Sequence, residues 1–319
     1  MELKIIIWLI VGFYFLIKGA DFLVKGSSSL AKKLNVREIV IGLTLVAFGT
    51  SLPETFVNII SSMKNQSDIV FGNIIGSNIF NILLILGIAG LIRPIKVNKN
   101  TLFKEIPFSL FAALLLFLLV NDFIIFGIGK NILSAIDGLV FMAFLLIFLF
   151  YVVRISKETP SHKFDVKLYT GHRTWAYILV GFLALFIGSR IVVNNSVELA
   201  RLFGVSEKLI ALTIIAGGTS LPELATSTVA AYKKEYELAI GNIVGSNIFN
   251  IFFILGASAF IRPAAYNVVL NMDILVLVLS TALLFFAVYI HKDRKLHRLS
   301  SFFFLIYYAA YIVYLFNRK

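Results

Sequence analysis

The sequence has no cysteine, only four histidines and little charge: Asp, Glu, Lys and Arg make up 14% of its 319 residues. Without cysteine there is no disulfide, no thiolate metal site and no thiol nucleophile. His162, His172, His291 and His297 all fall in or near expected loops, so the apolar segments offer no H-E-x-x-H metal-hydrolase site. A soluble domain of this length rarely carries so few charges. The net charge of +12 invites a nucleic-acid reading. The basic residues lie between apolar runs, however, where they set membrane topology instead.

What is abundant is apolar length. Hydrophobic residues make up 59% of the chain and mean hydropathy is +0.93. Runs of about 20 apolar residues match a hydrocarbon core of about 30 Å, whereas a β-barrel would show short alternating segments. The chain therefore reads as an all-α polytopic membrane protein. Ten spans are expected, at 5–26, 38–62, 69–92, 104–121, 132–153, 174–197, 207–231, 238–261, 270–290 and 300–316. The run from Ile5 to Ile17 lacks a small-residue cleavage pattern and reads as a retained span, not a signal peptide. The polar, basic stretch 154–173 connects two five-span halves, 1–153 and 174–319. Loops on the side of the N-terminus carry 8 Lys and Arg and those on the other side 18, so the second side reads as cytoplasmic, with both termini outside the cell membrane.

The halves repeat one another. Gly49-Thr50-Ser51-Leu52-Pro53-Glu54 returns as Gly218-Thr219-Ser220-Leu221-Pro222-Glu223, an offset of 218 − 49 = 169. At the same offset, the stretch from Gly72 through Gly76, Ser77 and Asn78 to Asn81 returns as Gly241 through Gly245, Ser246 and Asn247 to Asn250. Ile92-Arg93-Pro94 and Ile261-Arg262-Pro263 close the matched regions, 38–94 and 207–263. Five spans per half is an odd number, so the second half enters from the opposite side. This predicts inverted repeats, with a site near the midplane where they meet.

A carboxylate inside an apolar span is costly unless paired or functional, and here there are two, Glu54 and Glu223. Proline lacks an N–H, so Pro53 and Pro222 should free the carbonyls of Gly49 and Gly218. Thr50 and Ser51 add hydroxyls beside one break, and Thr219 and Ser220 beside the other. Asn73, Ser77 and Asn81 form a stripe at i, i+4 and i+8, repeated by Asn242, Ser246 and Asn250. The glycines four apart should let helices approach closely. Carboxylates, hydroxyls, amides and freed carbonyls form an all-oxygen set suited to a hard cation. Ca²⁺ takes six to eight such ligands, Na⁺ is of similar size, and Mg²⁺ sheds its water reluctantly. Each feature has a structural counterpart reading. S/T-x-x-E is also a capping box, Asn81 and Asn250 could join helices by hydrogen bonds, and Ser77 and Ser246 could be packing. Asn73, Asn78, Asn242 and Asn247 read as packing, and Asp21 and Glu198 as solvated residues near span ends.

The paired G-T-S-L-P-E and G-N-x-x-G-S-N-x-x-N stretches resemble the two α-repeats of the sodium/calcium exchanger family. The resemblance implies ten transmembrane helices as two inverted five-helix repeats, with cation sites between spans 2, 3, 7 and 8. It implies that Glu54 and Glu223 bind Ca²⁺ with the backbone oxygens of Thr50 and Thr219. It also implies Na⁺ sites using Ala47, Ser51 and Ser246 on one side and Ala216, Ser220 and Ser77 on the other, with Asn81 and Asn250 lining the remaining position. Three positions depart from the pattern. Many members carry Asp where Asn250 stands, Gly217 stands where the first copy has Phe48, and Arg190 stands where the first half has Asp21. The function expected is Na⁺/Ca²⁺ antiport by alternating access, with Ca²⁺, Na⁺ and the lipid bilayer as partners and no cofactor. A Ca²⁺/H⁺ antiporter and a cation channel are the alternatives.

Overall fold

The computed structural model describes residues 2–122, 124, 127, 131–157, 167–204, 214 and 216–318, with Glu2 and Ala216 described by their backbone only. The helices are α1 (Glu2–Leu34), α2 (Glu38–Thr50), α3 (Leu52–Met63), α4 (Ser67–Ile92), α5 (Thr101–Val120), α6 (Ala135–Ser156), α7 (Gly171–Leu202), α8 (Leu221–Tyr232), α9 (Tyr236–Ile261), α10 (Val268–Tyr289) and α11 (Arg298–Asn317). Among the described residues, eight helices are long and apolar enough to cross a membrane. The pair α2–α3, bent by 47° at Ser51, makes a ninth. The expected span 207–231 lies partly outside the described residues and is seen as the short helix Ala216–Gly218 followed by α8.

Two helices form the centre. In their most apolar stretches α9 is 94% buried and α4 78%, against 17–39% for the other unbroken spans. These are the helices whose faces are polar by sequence. A segment that places Asn and Ser on several sides needs protein around it, because lipid cannot satisfy those groups. The outer helices instead present Leu, Ile and Phe to the surroundings, as Phe150, Leu183 and Phe303 do.

α1 and α7 lie along one another. A Cβ added at Gly181 would sit 2.7 Å from the backbone N of Leu23, and one at Gly188 2.8 Å from that of Leu16. Hydrogen atoms at these positions are what allow the two backbones to touch. Both helices are longer than expected, 33 and 32 residues against 5–26 and 174–197. The physical reason for α1 is that its polar second half is paired. Asp21 is not a solvated end residue but a half-buried one, bonded to Lys25 at 2.7 Å and to Lys233 of the following half. Glu198, by contrast, is exposed.

Two short antiparallel ladders stitch the halves together outside the helices. β1 (Ile95–Lys96), after α4, pairs with β4 (Lys295–Leu296), before α11. β2 (Ile132–Leu133), before α6, pairs with β3 (Ala264–Ala265), after α9. Each joins a loop of one half to a loop of the other. β1 and β3 are repeat counterparts, since 95 + 169 = 264.

The glycine pair of the second copy lies in close contact. Gly241 and Gly245 of α9 lie against α2: a Cβ on Gly245 would meet the Ala47 Cβ at 2.8 Å and the Leu43 Cα and carbonyl O at 2.9 Å. At Gly72 and Gly76 of α4, nothing among the described residues stands within 4 Å of such a Cβ. The expected close approach is thus realised at Gly245, while the counterparts of Leu43 and Ala47, Leu212 and the side chain of Ala216, lie outside the described residues. Gly245→Ala should therefore cost about 1–3 kcal/mol, because its neighbours are backbone that must shift. Thermal unfolding of this variant in detergent checks the cost.

Candidate functional site

Each hexapeptide ends one helix and begins another. Ser51 (φ −82°, ψ 8°) and Ser220 (φ −90°, ψ 9°) leave the helical conformation, and Pro53 and Pro222 occupy the first turns of α3 and α8, where a missing N–H costs nothing. Glu54 and Glu223 therefore sit in first turns, pointed toward the centre from opposite halves, and each is 1% exposed.

Each acid is held by the other half. Ser220 Oγ donates to Glu54 Oε1 at 2.8 Å, and Ser51 Oγ donates to Glu223 Oε1 at 3.0 Å. Ser51 thus faces the opposite acid, not the Glu54 of its own hexapeptide. The Thr219 and Ser77 hydroxyls stand beside Glu54, and that of Thr50 stands beside Glu223. Thr50 also reaches the Val46 carbonyl at 3.0 Å and Asn242 Oδ1 at 3.1 Å. Ser246 Oγ donates to the Ala47 carbonyl at 3.4 Å. Of Ala216, whose side chain is outside the described residues, only the backbone is seen, at the start of its short helix.

The asparagines divide into two classes. Asn78 and Asn247 bind one another's backbone reciprocally, Asn78 Nδ2 to the Asn247 carbonyl at 3.1 Å and Asn247 Nδ2 to the Asn78 carbonyl at 3.3 Å. Asn81 Nδ2 donates to Asn247 Oδ1 at 3.0 Å, and Asn250 Nδ2 to Asn78 Oδ1 at 2.9 Å. With their NH₂ groups anchored, Asn81 and Asn250 keep their carbonyl oxygens buried and without a hydrogen-bond partner. Both residues belong to π-helical turns, Phe80–Ile85 and Asn250–Leu255, a local widening frequent at functional sites. Asn73 and Asn242 brace the breaks from outside: Asn73 Nδ2 donates to Asn58 Oδ1 at 2.6 Å and to the Glu54 carbonyl at 3.3 Å, and Asn242 Nδ2 donates to Ser227 Oγ at 2.9 Å.

Glu54 Oε2 and Glu223 Oε2 are also buried without a hydrogen-bond partner. Four acceptor oxygens, two from each half, are thus left unsatisfied at one protein centre. A buried acceptor without a donor costs about 1–3 kcal/mol. Oxygens of this kind are ligands for a hard cation.

One expected ligand is already occupied. Ser189 Oγ of α7 donates to the Gly218 carbonyl at 2.8 Å, so the oxygen freed by Pro222 is satisfied by protein. Ser189 was not visible as a site-associated residue in the sequence, because its repeat counterpart is Ala20 (189 − 169 = 20). The departure at Gly217 has a packing reason: its missing side chain leaves room for the Phe80 ring, which would stand 3.0 Å from a Cβ there. In the first copy Phe48 instead packs edge-on against Phe249, centroids 5.9 Å apart.

A cavity of about 390 Å³ leads toward this centre. Its lining includes Asp68, Gly76, Thr219, Asp273, Tyr311 and Arg318. Tyr311 donates to Asp273 Oδ1 at 2.8 Å, and Arg318 binds Asp273 Oδ2. The cavity opens on the face where α4 begins and α11 ends.

Comparison with known proteins shows the family. The family model described as sodium/calcium exchanger protein matches residues 4–154 and 173–317. The chain is 32% identical over 341 residues to the sodium/calcium exchanger MaX1 of Methanosarcina acetivorans, covering 97% of each. It is 34% identical over 265 residues to the inner membrane protein YrbG of Escherichia coli, covering 80% of this chain and 79% of that protein. The solved structure of the sodium-calcium exchanger NCX_Mj soaked with Na⁺ and Sr²⁺ superposes with a TM-score of 0.82 at 30% identity, over 98% of this chain and 99% of that one. The chain is an all-helical, multi-pass membrane protein that belongs to the sodium/calcium exchanger family, a family of antiporters and not of enzymes.

Proposed function

We propose that this chain exchanges Na⁺ for Ca²⁺ by alternating access, with both cations competing for one oxygen cage between Glu54 and Glu223. The observation that carries the reading is the set of four unsatisfied buried acceptors, Glu54 Oε2, Glu223 Oε2, Asn81 Oδ1 and Asn250 Oδ1. Ca²⁺ is held by the two carboxylates with help from the backbone oxygens of Thr50 and Thr219. Na⁺ is held beside it by Ala47, Ser51 and Ser246, and by Ala216, Ser220 and Ser77. Asn81 and Asn250 line the remaining position.

The exchange logic is electrostatic. Two carboxylates without a cation form a doubly charged centre in a low-dielectric surrounding, and such a centre resists passage between access states. One Ca²⁺ or a set of Na⁺ ions neutralises it, so each crossing carries cargo and leak is suppressed. The reciprocal hydrogen bonds, each mirrored at an offset of 169, support two inverted five-helix repeats making ten crossings, with the linker 154–173 and both termini on opposite faces. The count of basic residues supports termini on the outside. The cavity past Thr219 then belongs to an outward-open state.

The test is radioactive Ca²⁺ uptake into proteoliposomes with Na⁺, K⁺ and pH gradients imposed separately. Uptake driven by outward-directed Na⁺ alone is the expected result. Uptake that follows a pH gradient and ignores Na⁺ would replace this reading with Ca²⁺/H⁺ antiport. Ca²⁺ flux indifferent to any opposing ion would indicate a channel.

A further inference from the structure

The repeat pairs most residues with like residues, but at one place it exchanges charge. Asp21 of α1 is ion-paired with Lys233, just past the end of α8, and Lys233 Nζ also approaches the Asp21 backbone carbonyl at 3.4 Å. Lys25 holds the other carboxylate oxygen at 2.7 Å. The counterpart positions are 21 + 169 = 190 and 233 − 169 = 64, occupied by Arg190 and Lys64. An acid and a base on one face are thus matched by two bases on the other. Lys25 is matched by neutral Asn194, since 25 + 169 = 194. Asp21 and Lys233 are half-buried, whereas Arg190 and Lys64 are exposed.

Further side-chain bonds between the halves lie on the Asp21–Lys233 face. Arg37 Nη2 meets Glu237 Oε1 at 2.9 Å, Asn98 donates to the same carboxylate, and Arg93 Nη1 donates to the Tyr232 carbonyl at 2.9 Å. On the opposite face the counterparts of Glu237 and Asn98 are Asp68 and Asn267 (237 − 169 = 68; 98 + 169 = 267). Both line an open depression of about 450 Å³. Among the described residues, the cluster of Arg37, Asn98 and Glu237 is closed on one face, while Asp68 and Asn267 border a depression on the other, where the β2–β3 ladder and the Asn121–Asn271 bonds still join the halves.

In an exchanger built from inverted halves, the second access state makes on one face the contacts now made on the other. The backbone-close seam between α1 and α7 makes these two helices move together. That movement would part Asp21 from Lys233 and carry Arg190 toward Lys64. We propose that Asp21, Lys233 and Arg190 are positioning residues that bias the cation site toward the face bearing both chain ends. The opposite-charge pair holds the present state, and the like-charge pair penalises its mirror image. This rests on the two-sided exchange proposed above.

The absence of cysteine permits a direct measurement. Gly72 lines the cavity and, among the described residues, has nothing within 4 Å of an added Cβ, so Gly72→Cys places a single thiol there. In vesicles, its modification by a charged, membrane-impermeant thiol reagent reports how often that face is open. Asp21→Asn should lower the ratio of molecules open on that face to molecules open on the other by a factor of about three to five, the range of a surface-to-half-buried pair, and so slow the modification. Arg190→Asp, an exposed change expected to leave folding intact, should slow it as well by giving Lys64 a partner. Asp21→Glu should keep the parent rate. Rates unchanged in both Asp21→Asn and Arg190→Asp overturn the proposal, as does equal slowing by Asp21→Glu and Asp21→Asn, which would mark a packing role. A parent rate that fails to respond to Na⁺ or Ca²⁺ would instead overturn the exchange reading.

Discussion

Glu54→Gln and Glu223→Gln should each abolish Na⁺-gradient-driven Ca²⁺ uptake, with residual flux lower by a factor on the order of 100 or more. Removing one partner from a buried charge interaction costs about 2–5 kcal/mol, and about 3 kcal/mol is already a factor of ~100. Glutamine keeps the shape and still accepts from Ser220 or Ser51, so the hydrogen bonds at 2.8 and 3.0 Å need not be lost. What disappears is one of two negative charges. A second readout separates this from misfolding. In the parent, Ca²⁺ should raise the unfolding temperature, because it binds the folded state only. In either variant that increment should vanish, while cation-free stability stays level or rises as one of two close acids is neutralised. Normal flux in either variant would remove Glu54 and Glu223 from the transport site.

Asn247→Ala should be the most damaging change for stability that leaves both acids in place. Asn247 is 1% exposed, and its side chain serves two partners across the repeat interface, donating to the Asn78 carbonyl and accepting from Asn81 Nδ2. Alanine leaves both partners buried and unmatched, at about 1–3 kcal/mol each. The expected loss is about 3 kcal/mol or more, read as a fall of roughly 5 °C or more in unfolding temperature in detergent. Because Asn81 is also released from its anchor, saturating Ca²⁺ should restore less stability than it adds to the parent. An unchanged unfolding temperature would show that the reciprocal asparagine pair is not what holds the centre together.

Much of this centre could be read before any coordinates. The duplicated hexapeptides named the two acids, and the Asn-Ser stripes named the helices that turned out to be most buried. These signals are local and doubled, so chance explains them poorly. Other features were not legible. The swap by which Ser51 serves Glu223 and Ser220 serves Glu54 depends on how the halves face one another, and spacing along one chain carries no record of that. Proline at a helix start and proline within a helix look identical in sequence. Only the backbone at Ser51 and Ser220 distinguishes them. The capture of the Gly218 carbonyl by Ser189 comes from the second half alone, so comparing the halves obscured it. Asp21 illustrates a different limit: Lys25 is one turn away, but Lys233, which ties it to the other half, lies 212 residues away, and an acid with a remote partner reads as a solvated one.

The two β ladders have a consequence for the connecting segment 154–173. Ile95 with Leu296 and Leu133 with Ala264 bind loops of opposite halves, as the α1–α7 seam and the asparagine pair do for the helices. Cohesion between the halves therefore resides in surfaces, and the covalent tether mainly keeps one half concentrated near the other. Two separately expressed polypeptides, divided within that tether, should find each other in the bilayer and restore a working transporter.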